Sequence, residues 1–292
     1  MGTASKLSGG PVAAAARRVP DFVVIGAMRA GTTTLYHHLS GHPQVGMSLM
    51  KETDYFVDVM NFKLGYDWYR NQFPSDGRLT GEVSPNYSKH DLFRGVPERL
   101  KAASPDAKLI FIARDPVDRF VSHYLFSWHL GYVTVPPEEL LDSGNGGHIL
   151  ECSRYARQIE TYLKHFPREN LLVLDFNLLK RDPKAALDQV CEFLDIDPME
   201  VGDVATTNNR GELAALPRSI QRIWRWPLMR RFDRFVSRGM RDRLRQVFLF
   251  RAKPRPEPEI TQELRQRVAA ELAEDARAFR TLSGLPFENW SV

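Results

Sequence analysis

The stretch Phe22-Val-Val-Ile-Gly26-Ala-Met-Arg29-Ala-Gly31-Thr32-Thr33-Thr34-Leu35 decides the fold of this chain. It begins as an apolar run, continues as a loop bounded by Gly26 and Gly31, and ends where a helical pattern starts. The backbone N–H groups of such a loop, together with the N-terminus of the next helix, form a concave site for an anion. We therefore predict a phosphate-binding loop between a buried strand and a helix. A tight turn whose glycines serve packing alone is the alternative.

Four more apolar runs predict further buried strands, and helical patterns alternate with them. This alternation is typical of a parallel sheet with helices on its faces. We predict an α/β fold: a P-loop-like parallel β-sheet flanked by helices, in a single domain with helical C-terminal additions. Asp115 and Asp182, each followed by proline, are predicted helix N-caps. The predicted strands are 22–26, 45–48, 79–83, 108–113 and 171–175, and the main helices are 32–40, 116–130, 153–166 and 261–282.

The composition is ordinary for a soluble globular protein. Of 292 residues, 43% are hydrophobic and 26% are charged, and no run of about 18 apolar residues offers a membrane span. Cys152 and Cys191 are too few for a disulfide framework, which favours a reducing compartment. Residues 1–19 lack the apolar core of a secretory signal and are predicted to be a flexible tail, leaving 20–292 as the domain. We expect a cytoplasmic location.

The phosphate loop has the length of a Walker A loop but lacks its lysine. Thr32 stands where a nucleotide hydrolase has that lysine, and the cation lies inside the loop instead, as Arg29. The later strand 108–113 is followed by Arg114, where a magnesium-dependent enzyme would have an acidic residue. The sequence therefore disfavours ATP hydrolysis, and we expect no metal requirement.

A second phosphate-binding segment follows the strand 108–113. Arg114 stands at the strand end, and Ser122 lies two helical turns after the predicted cap, so it shares a face with the helix start. A guanidinium binds phosphate in bidentate fashion, and a hydroxyl can complete the grip. Taken alone, this pattern favours a surface arginine beside a helical serine.

Together, the two segments resemble the 5′-phosphosulfate loop and the 3′-phosphate motif of the sulfotransferases that use 3′-phosphoadenosine-5′-phosphosulfate (PAPS). The resemblance covers most of residues 21–194. It implies that the 3′ phosphate of PAPS, or of the product PAP, is bound by Arg114 and Ser122, and that Arg29 replaces the commonest lysine of the loop. The 5′ phosphosulfate would be held by Arg29, Ala30, Gly31, Thr32, Thr33 and Thr34.

Two further segments resemble the carbohydrate and heparan sulfate type of this family and its bacterial relatives. Lys51-Glu52-Thr-Asp54-Tyr-Phe matches the family's Lys-Glu-x-x-Phe-Phe segment, whose glutamate is the general base, except that Asp54 stands where histidine is common. The segment 81–87 resembles the family's acceptor-side motif. The resemblance therefore implies that Glu52 is catalytic with Arg29 and Lys51, and that the acceptor is contacted by Glu82, Ser84 and Tyr87.

The resemblance implies transfer of a sulfuryl group from PAPS to a hydroxyl of a carbohydrate, glycolipid or small metabolite. A P-loop nucleotide kinase-like phosphotransferase and a non-catalytic nucleotide-binding protein are the alternatives. His90 and His123 rank below Glu52 as bases because neither stands in a histidine-base motif. His37, His38 and His42 have helical spacing but no cysteine or acidic partner, so a solvated helix face is favoured over a metal site.

The C-terminal third contains a strongly basic segment. Residues 218–255 hold thirteen Lys and Arg against two Asp, a local net charge of +11 in a chain of net +4. Such an amphipathic segment can contact an anionic membrane or lipid acceptor, bind an acidic glycan, or form a solvated lid. Because no DNA- or RNA-binding motif accompanies it, we expect no nucleic-acid partner. Just before it, Arg210 and Gly211 fall where the family's loop closes over the nucleotide.

Overall fold

The computed structural model describes residues 19–142, 147–201 and 256–292. A parallel five-stranded sheet lies at the centre, in the order β2-β3-β1-β4-β5. Its strands are β1 (Phe22–Gly26), β2 (Val45–Met47), β3 (Leu79–Val83), β4 (Lys108–Ala113) and β5 (Leu171–Asp175). The predicted α/β fold is confirmed, and β2 ends one residue earlier than predicted.

Ten α-helices connect and flank the strands in the described part of the chain. They are α1 (Thr32–Ser40), α2 (Tyr66–Arg70), α3 (Val96–Ala103), α4 (Pro116–His129), α5 (Pro137–Asp142), α6 (Gly147–Glu151), α7 (Tyr155–Leu163), α8 (Phe176–Arg181), α9 (Pro183–Leu194) and α10 (Gln262–Ser283). No helix within the described ranges is long and apolar enough to cross a membrane.

The strands form because their side chains are apolar on both faces, as a sheet covered on both sides requires. Every residue of β1 is buried, and β4 is buried from its second residue onward. Gly81 in β3 leaves space for the ring of Phe22 in β1, which an added Cβ would overlap. Close packing across neighbouring strands thus fixes a glycine in the middle of the sheet.

The ends of three helices follow from local capping. Asp115 accepts a hydrogen bond from the backbone N–H of Asp118, and Asp182 accepts one from Ala185, so both predicted N-caps are present in the structure. Thr261 caps α10 rather than beginning it, because its hydroxyl accepts from Leu264 N–H. Gly284, with φ of 73°, ends α10 in the left-handed conformation.

Two clusters of buried apolar side chains hold the strands and helices together. The larger cluster covers the sheet, and a second joins α4 to α10 through Val117, Phe120 and Tyr124 on one side and Leu264 and Val268 on the other. Val19, which the sequence analysis assigned to the tail, is buried, and its backbone exchanges hydrogen bonds with the Tyr66 hydroxyl. The rest of the predicted tail lies outside the described residues.

The order of the strands determines where a ligand can bind. β1 lies between β3 and β4, so the chain leaves β1 towards one side of the sheet for β2 and β3 and towards the other for β4 and β5. In open parallel sheets, ligands bind in the crevice outside the carboxyl ends of the strands at such a switch point. The loop after β1 and the residues after β4 both lie at this edge.

Candidate active site

The phosphate-binding loop connects β1 to α1 directly. Gly31 has φ of 88° and precedes the first residue of α1, and an added Cβ there would lie 3.1 Å from the ring of Phe176. The backbone angle therefore favours glycine, and the nearby ring leaves little room for a Cβ. Arg29 in the same loop also has a positive φ, 70°, which a residue with a side chain rarely adopts.

Arg29 and Ser122 lie in contact. The Arg29 Nε donates a hydrogen bond to Ser122 Oγ at 3.2 Å, and its guanidinium lies 4.7 Å from the centre of the Phe126 ring. Ser122 and Phe126 are four residues apart on α4 and thus share one helix face. The structure therefore brings together side chains that are 93 positions apart in sequence.

Arg114 lies against the same loop from the end of β4. Its Nη1 donates to the backbone oxygen of Arg29 at 3.2 Å, and its guanidinium lies 5.1 Å from the centre of the Phe176 ring. The backbone oxygen of Arg114 accepts a hydrogen bond from the Tyr155 hydroxyl. Both predicted phosphate-binding segments therefore form a single site at the carboxyl edge of the sheet.

Glu52 projects from the loop after β2, which runs along β3. Its backbone N–H donates to the Val83 oxygen at 2.9 Å, and its φ is 63°. The carboxylate pairs with Lys51 at 2.7 Å, and 44% of the Glu52 side chain is exposed. The carboxylate is thus accessible to an external ligand, as a general base must be, and it lies beside the Lys51 cation.

Glu82, Ser84 and Tyr87 do not reach the cleft, in contrast to the predicted contact with the acceptor. All three are fully buried. The Glu82 carboxylate accepts hydrogen bonds from the hydroxyls of Thr53, Tyr69 and Ser84. Because the sequence motif alternates with apolar strand residues, it gave no sign of which side chains face inwards. These three residues instead hold the loop that carries Glu52, through hydrogen bonds with Thr53, Asp54 and Phe56.

Burial is the main cause of the raised pKa values of two carboxyl groups, Glu82 and Asp54. It raises the pKa of Glu82 to about 7, although hydrogen bonds from Thr53 and Tyr69 oppose the shift. Burial likewise raises the pKa of Asp54 to about 6, with Asn86 donating to one carboxylate oxygen at 3.0 Å. The Glu82 carboxyl is therefore partly protonated near pH 7.

Arg119 is a buried residue of the site that the sequence analysis did not identify. Its side chain is fully buried and donates to Ser153 Oγ, to the Ile149 oxygen and to His123 Nδ1. Because arginine can only donate, the His123 proton must reside on Nε2. Burial and the Arg119 charge hold the pKa of His123 well below its usual value. Two of the three partners, Ser153 and Ile149, are at least 30 residues away in sequence, so no local pattern could have predicted those contacts.

His123, His148 and Cys152 bring potential metal-ligating atoms within 4.8 Å of one another. Arg119 occupies one ring nitrogen of His123, and the charges of Lys89 and Arg119 contribute to lowering the pKa of His148 to about 4, after burial. Two neighbouring cations make this cluster unfavourable for a third. The expected absence of a metal requirement stays a prediction.

The other predicted residues divide into two groups. His38 and His42 are buried, so the expectation of a solvated helix face is wrong for them, and both His42 ring nitrogens are hydrogen-bonded, to the Asp197 oxygen and to Gln44 N–H. Arg210, Gly211 and the basic segment 218–255 lie outside the described residues.

Comparisons with known proteins give one consistent result. The family model described as Sulfotransferase domain matches residues 19–209. Human heparan sulfate glucosamine 3-O-sulfotransferase 3B1 is 32% identical over 188 residues, 61% of this chain and 46% of that protein. Human bifunctional heparan sulfate N-deacetylase/N-sulfotransferase 3 is 33% identical over 204 residues, 62% of this chain and 23% of that protein. The chain thus spans about half the length of the first relative and about a quarter of the second.

A solved structure supports the fold. The sulfotransferase from Alicyclobacillus acidocaldarius superposes with a TM-score of 0.66 and 22% identity, covering 94% of this chain and 99% of that one. At 22% identity, this likeness is evidence for the fold alone.

Proposed function

The chain belongs to the sulfotransferase domain family, and from this membership we propose that it transfers a sulfuryl group from PAPS to a hydroxyl of an acceptor. One observation carries the proposal. Arg29 is hydrogen-bonded to Ser122, and Arg114 is hydrogen-bonded to the Arg29 backbone, so both phosphate-binding segments meet at one edge of the sheet. A donor with a phosphate at each end of its nucleoside fits two such groups.

The reaction requires one bond to form while another breaks. The acceptor oxygen attacks the sulfur of PAPS, the bond from sulfur to the 5′-phosphate oxygen breaks, and PAP leaves with the bonding electron pair. Glu52 takes the proton of the acceptor hydroxyl, since its carboxylate is accessible to an external ligand. The products are the sulfated acceptor and PAP.

The cations stabilise the charge that develops on the departing phosphate. Arg29 lies within the phosphate loop, where the backbone N–H groups at the start of α1 also point. Its guanidinium stays protonated at all relevant pH values, so it assists the leaving group through its charge and not by giving up a proton. Lys51 places a second positive charge beside Glu52.

We propose a carbohydrate as the acceptor class, because both named human relatives are heparan sulfate enzymes. Calorimetry tests the donor site first, with PAP against ATP and magnesium. PAP should bind without added metal, and Arg114→Ala should weaken that binding by about 10-fold or more, the cost of a charged hydrogen-bond pair.

Arg70→Ala is the matched control, because Arg70 lies on α2 and pairs loosely with Asp67 at 3.8 Å. This variant should bind PAP as the unmodified chain does. Tighter binding of ATP with magnesium than of PAP would overturn the proposal in favour of the kinase-like alternative.

A further inference from the structure

Hydroxyl groups bind three consecutive backbone N–H groups in the loop that carries Glu52. The bonds run from Asp54 N–H to Ser84 Oγ at 3.2 Å, from Tyr55 N–H to Thr53 Oγ1 at 3.3 Å, and from Phe56 N–H to the Tyr87 hydroxyl at 3.3 Å. They begin two residues after Glu52, whose φ of 63° persists only where surrounding contacts impose it. The direction in which the Glu52 side chain leaves the loop therefore depends on these bonds.

Two of the same hydroxyl groups converge on the carboxylate of Glu82, which is fully buried. Its Oε2 accepts from the hydroxyls of Thr53 and Ser84, and its Oε1 accepts from the Tyr69 hydroxyl at 2.8 Å. A hydroxyl has one hydrogen, so Thr53 and Ser84 bind the loop N–H groups with their oxygens alone. Glu82 thereby fixes which way these hydroxyls point.

The Tyr87 hydroxyl joins the network through Thr53. The two hydroxyl oxygens are 3.2 Å apart. Because the Thr53 hydrogen goes to Glu82, the hydrogen between these two oxygens comes from Tyr87. The Tyr87 oxygen is then left to accept from Phe56 N–H. All three bonds to the loop therefore follow from one ionised carboxylate.

Protonation of Glu82 weakens this arrangement. A carboxylic acid has its own O–H hydrogen, so one of the three donating hydroxyls must turn away, and the other bonds lose the charge that makes them about twice as strong. Burial raises the pKa of Glu82 to about 7, so both forms are present near neutral pH. Burial also raises the pKa values of the facing tyrosines well above 10, so they stay neutral. The titratable groups that face this carboxyl are Asp54, Tyr69, Tyr87 and Tyr162.

We propose that Glu82 is the positioning residue of the base: its ionised carboxylate orients the hydroxyls that hold the Glu52 loop, and its protonation weakens that support. This inference rests on the proposed function, in which Glu52 takes the acceptor proton. Transfer then depends on a second carboxyl that is itself buried. The support is present above the pKa of Glu82 and is lost as pH falls through about 7.

The pH dependence of turnover tests this role. Release of PAP from PAPS is measured with an N-sulfated hexasaccharide of alternating glucuronic acid and glucosamine, and separately with water as the only acceptor. The kcat of the unmodified chain should fall with a midpoint near pH 7. Glu82→Gln should lower kcat about 10-fold above that midpoint and should lack the midpoint. KM for PAPS should stay within 2-fold, because Glu82 lies in β3 and in neither phosphate-binding segment.

Tyr69→Phe is a second variant that separates positioning from stability. It removes the bond to Glu82 Oε1 and leaves the three bonds to residues 54–56 in place. Loss of a hydrogen bond to the charged form raises the pKa, so the midpoint should move to higher pH. A structural defect alone would lower kcat by the same fraction at every pH.

Asp54→Asn tests whether the other carboxyl is the titrating group, since its pKa of about 6 is close to that of Glu82. The midpoint should persist and move slightly to lower pH, because the Asp54 charge contributes to raising the pKa of Glu82. Loss of the midpoint in Asp54→Asn would assign the titration to Asp54 and refute the inference.

The controls separate this inference from the proposed function. Glu160→Gln makes the same change at an exposed position of α7 and should keep the pH profile of the unmodified chain. If the unmodified chain released no more PAP than buffer does with either acceptor, the proposed function would be refuted. Equal PAP release by Glu52→Gln and the unmodified chain would refute the base and its positioning together. Full kcat in Glu82→Gln, or an equal loss at every pH, would refute only the role of Glu82.

Discussion

Glu52 and Asp54 are held in backbone conformations that side-chain-bearing residues rarely adopt. Their φ angles are 63° and 46°, within a segment of three residues. Each such conformation costs on the order of 1–3 kcal/mol and persists only where surrounding contacts impose it. Here β3 imposes it, because Glu52 N–H bonds to the Val83 oxygen and Asp54 N–H to Ser84 Oγ. The strained backbone thus lowers stability, and it accompanies an exposed Glu52 carboxylate.

Replacing Glu52 by glutamine should abolish transfer while leaving the nucleotide site intact. The amide cannot accept the hydroxyl proton, so we expect kcat to fall by about 10²–10⁴-fold, the usual contribution of a general base. PAP affinity should stay within 2-fold, since Glu52 is not a partner in the hydrogen bond from Arg29 to Ser122 or in that from Arg114 to the Arg29 backbone. Steady-state kinetics and calorimetry on the same preparation measure both quantities.

Glu169→Gln supplies the control for Glu52→Gln, because Glu169 lies in the exposed turn Arg168–Asn170. It should leave kcat unchanged. Retained turnover in Glu52→Gln would show that another group is the base. His123 cannot take that role while Arg119 donates to its Nδ1, because the other ring nitrogen then carries the proton.

The buried Glu82 gives stability a defined pH dependence. Its pKa is about 7 in the folded chain against an ordinary value of 4.5, so the folded state binds more protons between these values. Stability from this group is therefore present below pH 4.5 and lost as pH rises to 7, by about 3 kcal/mol. We expect the free energy of unfolding of the unmodified chain to fall relative to that of Glu82→Gln as pH rises from 5 to 8. Urea unfolding of both proteins measures this difference. A constant difference would show that Glu82 stays ionised throughout.

At the scale of elements, strands and helix starts could be predicted because their causes are local. The residues of β1 and β4 are apolar throughout, and Asp115 precedes proline at a helix start. The burial of the Glu82 side chain could not be predicted, because its partners come from separate parts of the chain: Thr53 from the loop after β2 and Tyr69 from α2.

The two aspartate caps differ in what else they hold. Asp182 caps α9, and within the described residues its carboxylate accepts only from Ala185 N–H. Asp115 caps α4 and also accepts from the backbone and hydroxyl of Ser291, so it ties the C-terminal residues to the helix. Asp182→Ala should cost about 1 kcal/mol in free energy of unfolding, and Asp115→Ala about 2–3 kcal/mol. Equal losses in urea unfolding would show that the Ser291 contacts contribute nothing.

At the scale of the whole molecule, the donor site joins the two sides of the sheet. Arg29 follows β1, Arg114 follows β4, and Phe176, which follows β5, touches both Arg114 and the space beside Gly31. Glu52 arrives from the opposite side, between β2 and β3. A nucleotide in this crevice contacts residues whose positions depend on the complete sheet, so its binding should stabilise the chain as one unit.

PAP should therefore raise the melting temperature in proportion to its affinity. A concentration of 100 times Kd adds about 2.7 kcal/mol of stability, which corresponds to roughly 5–10 °C for a chain of this size. Glu52→Gln should show the full shift, because it keeps the donor site, and Arg114→Ala should show a much smaller one at the same PAP concentration. Calorimetric scans of the three proteins measure this directly. If PAP produced no shift in the unmodified chain while ATP with magnesium did, the crevice would bind a different nucleotide, and the arginine in the place of the Walker lysine would need another explanation.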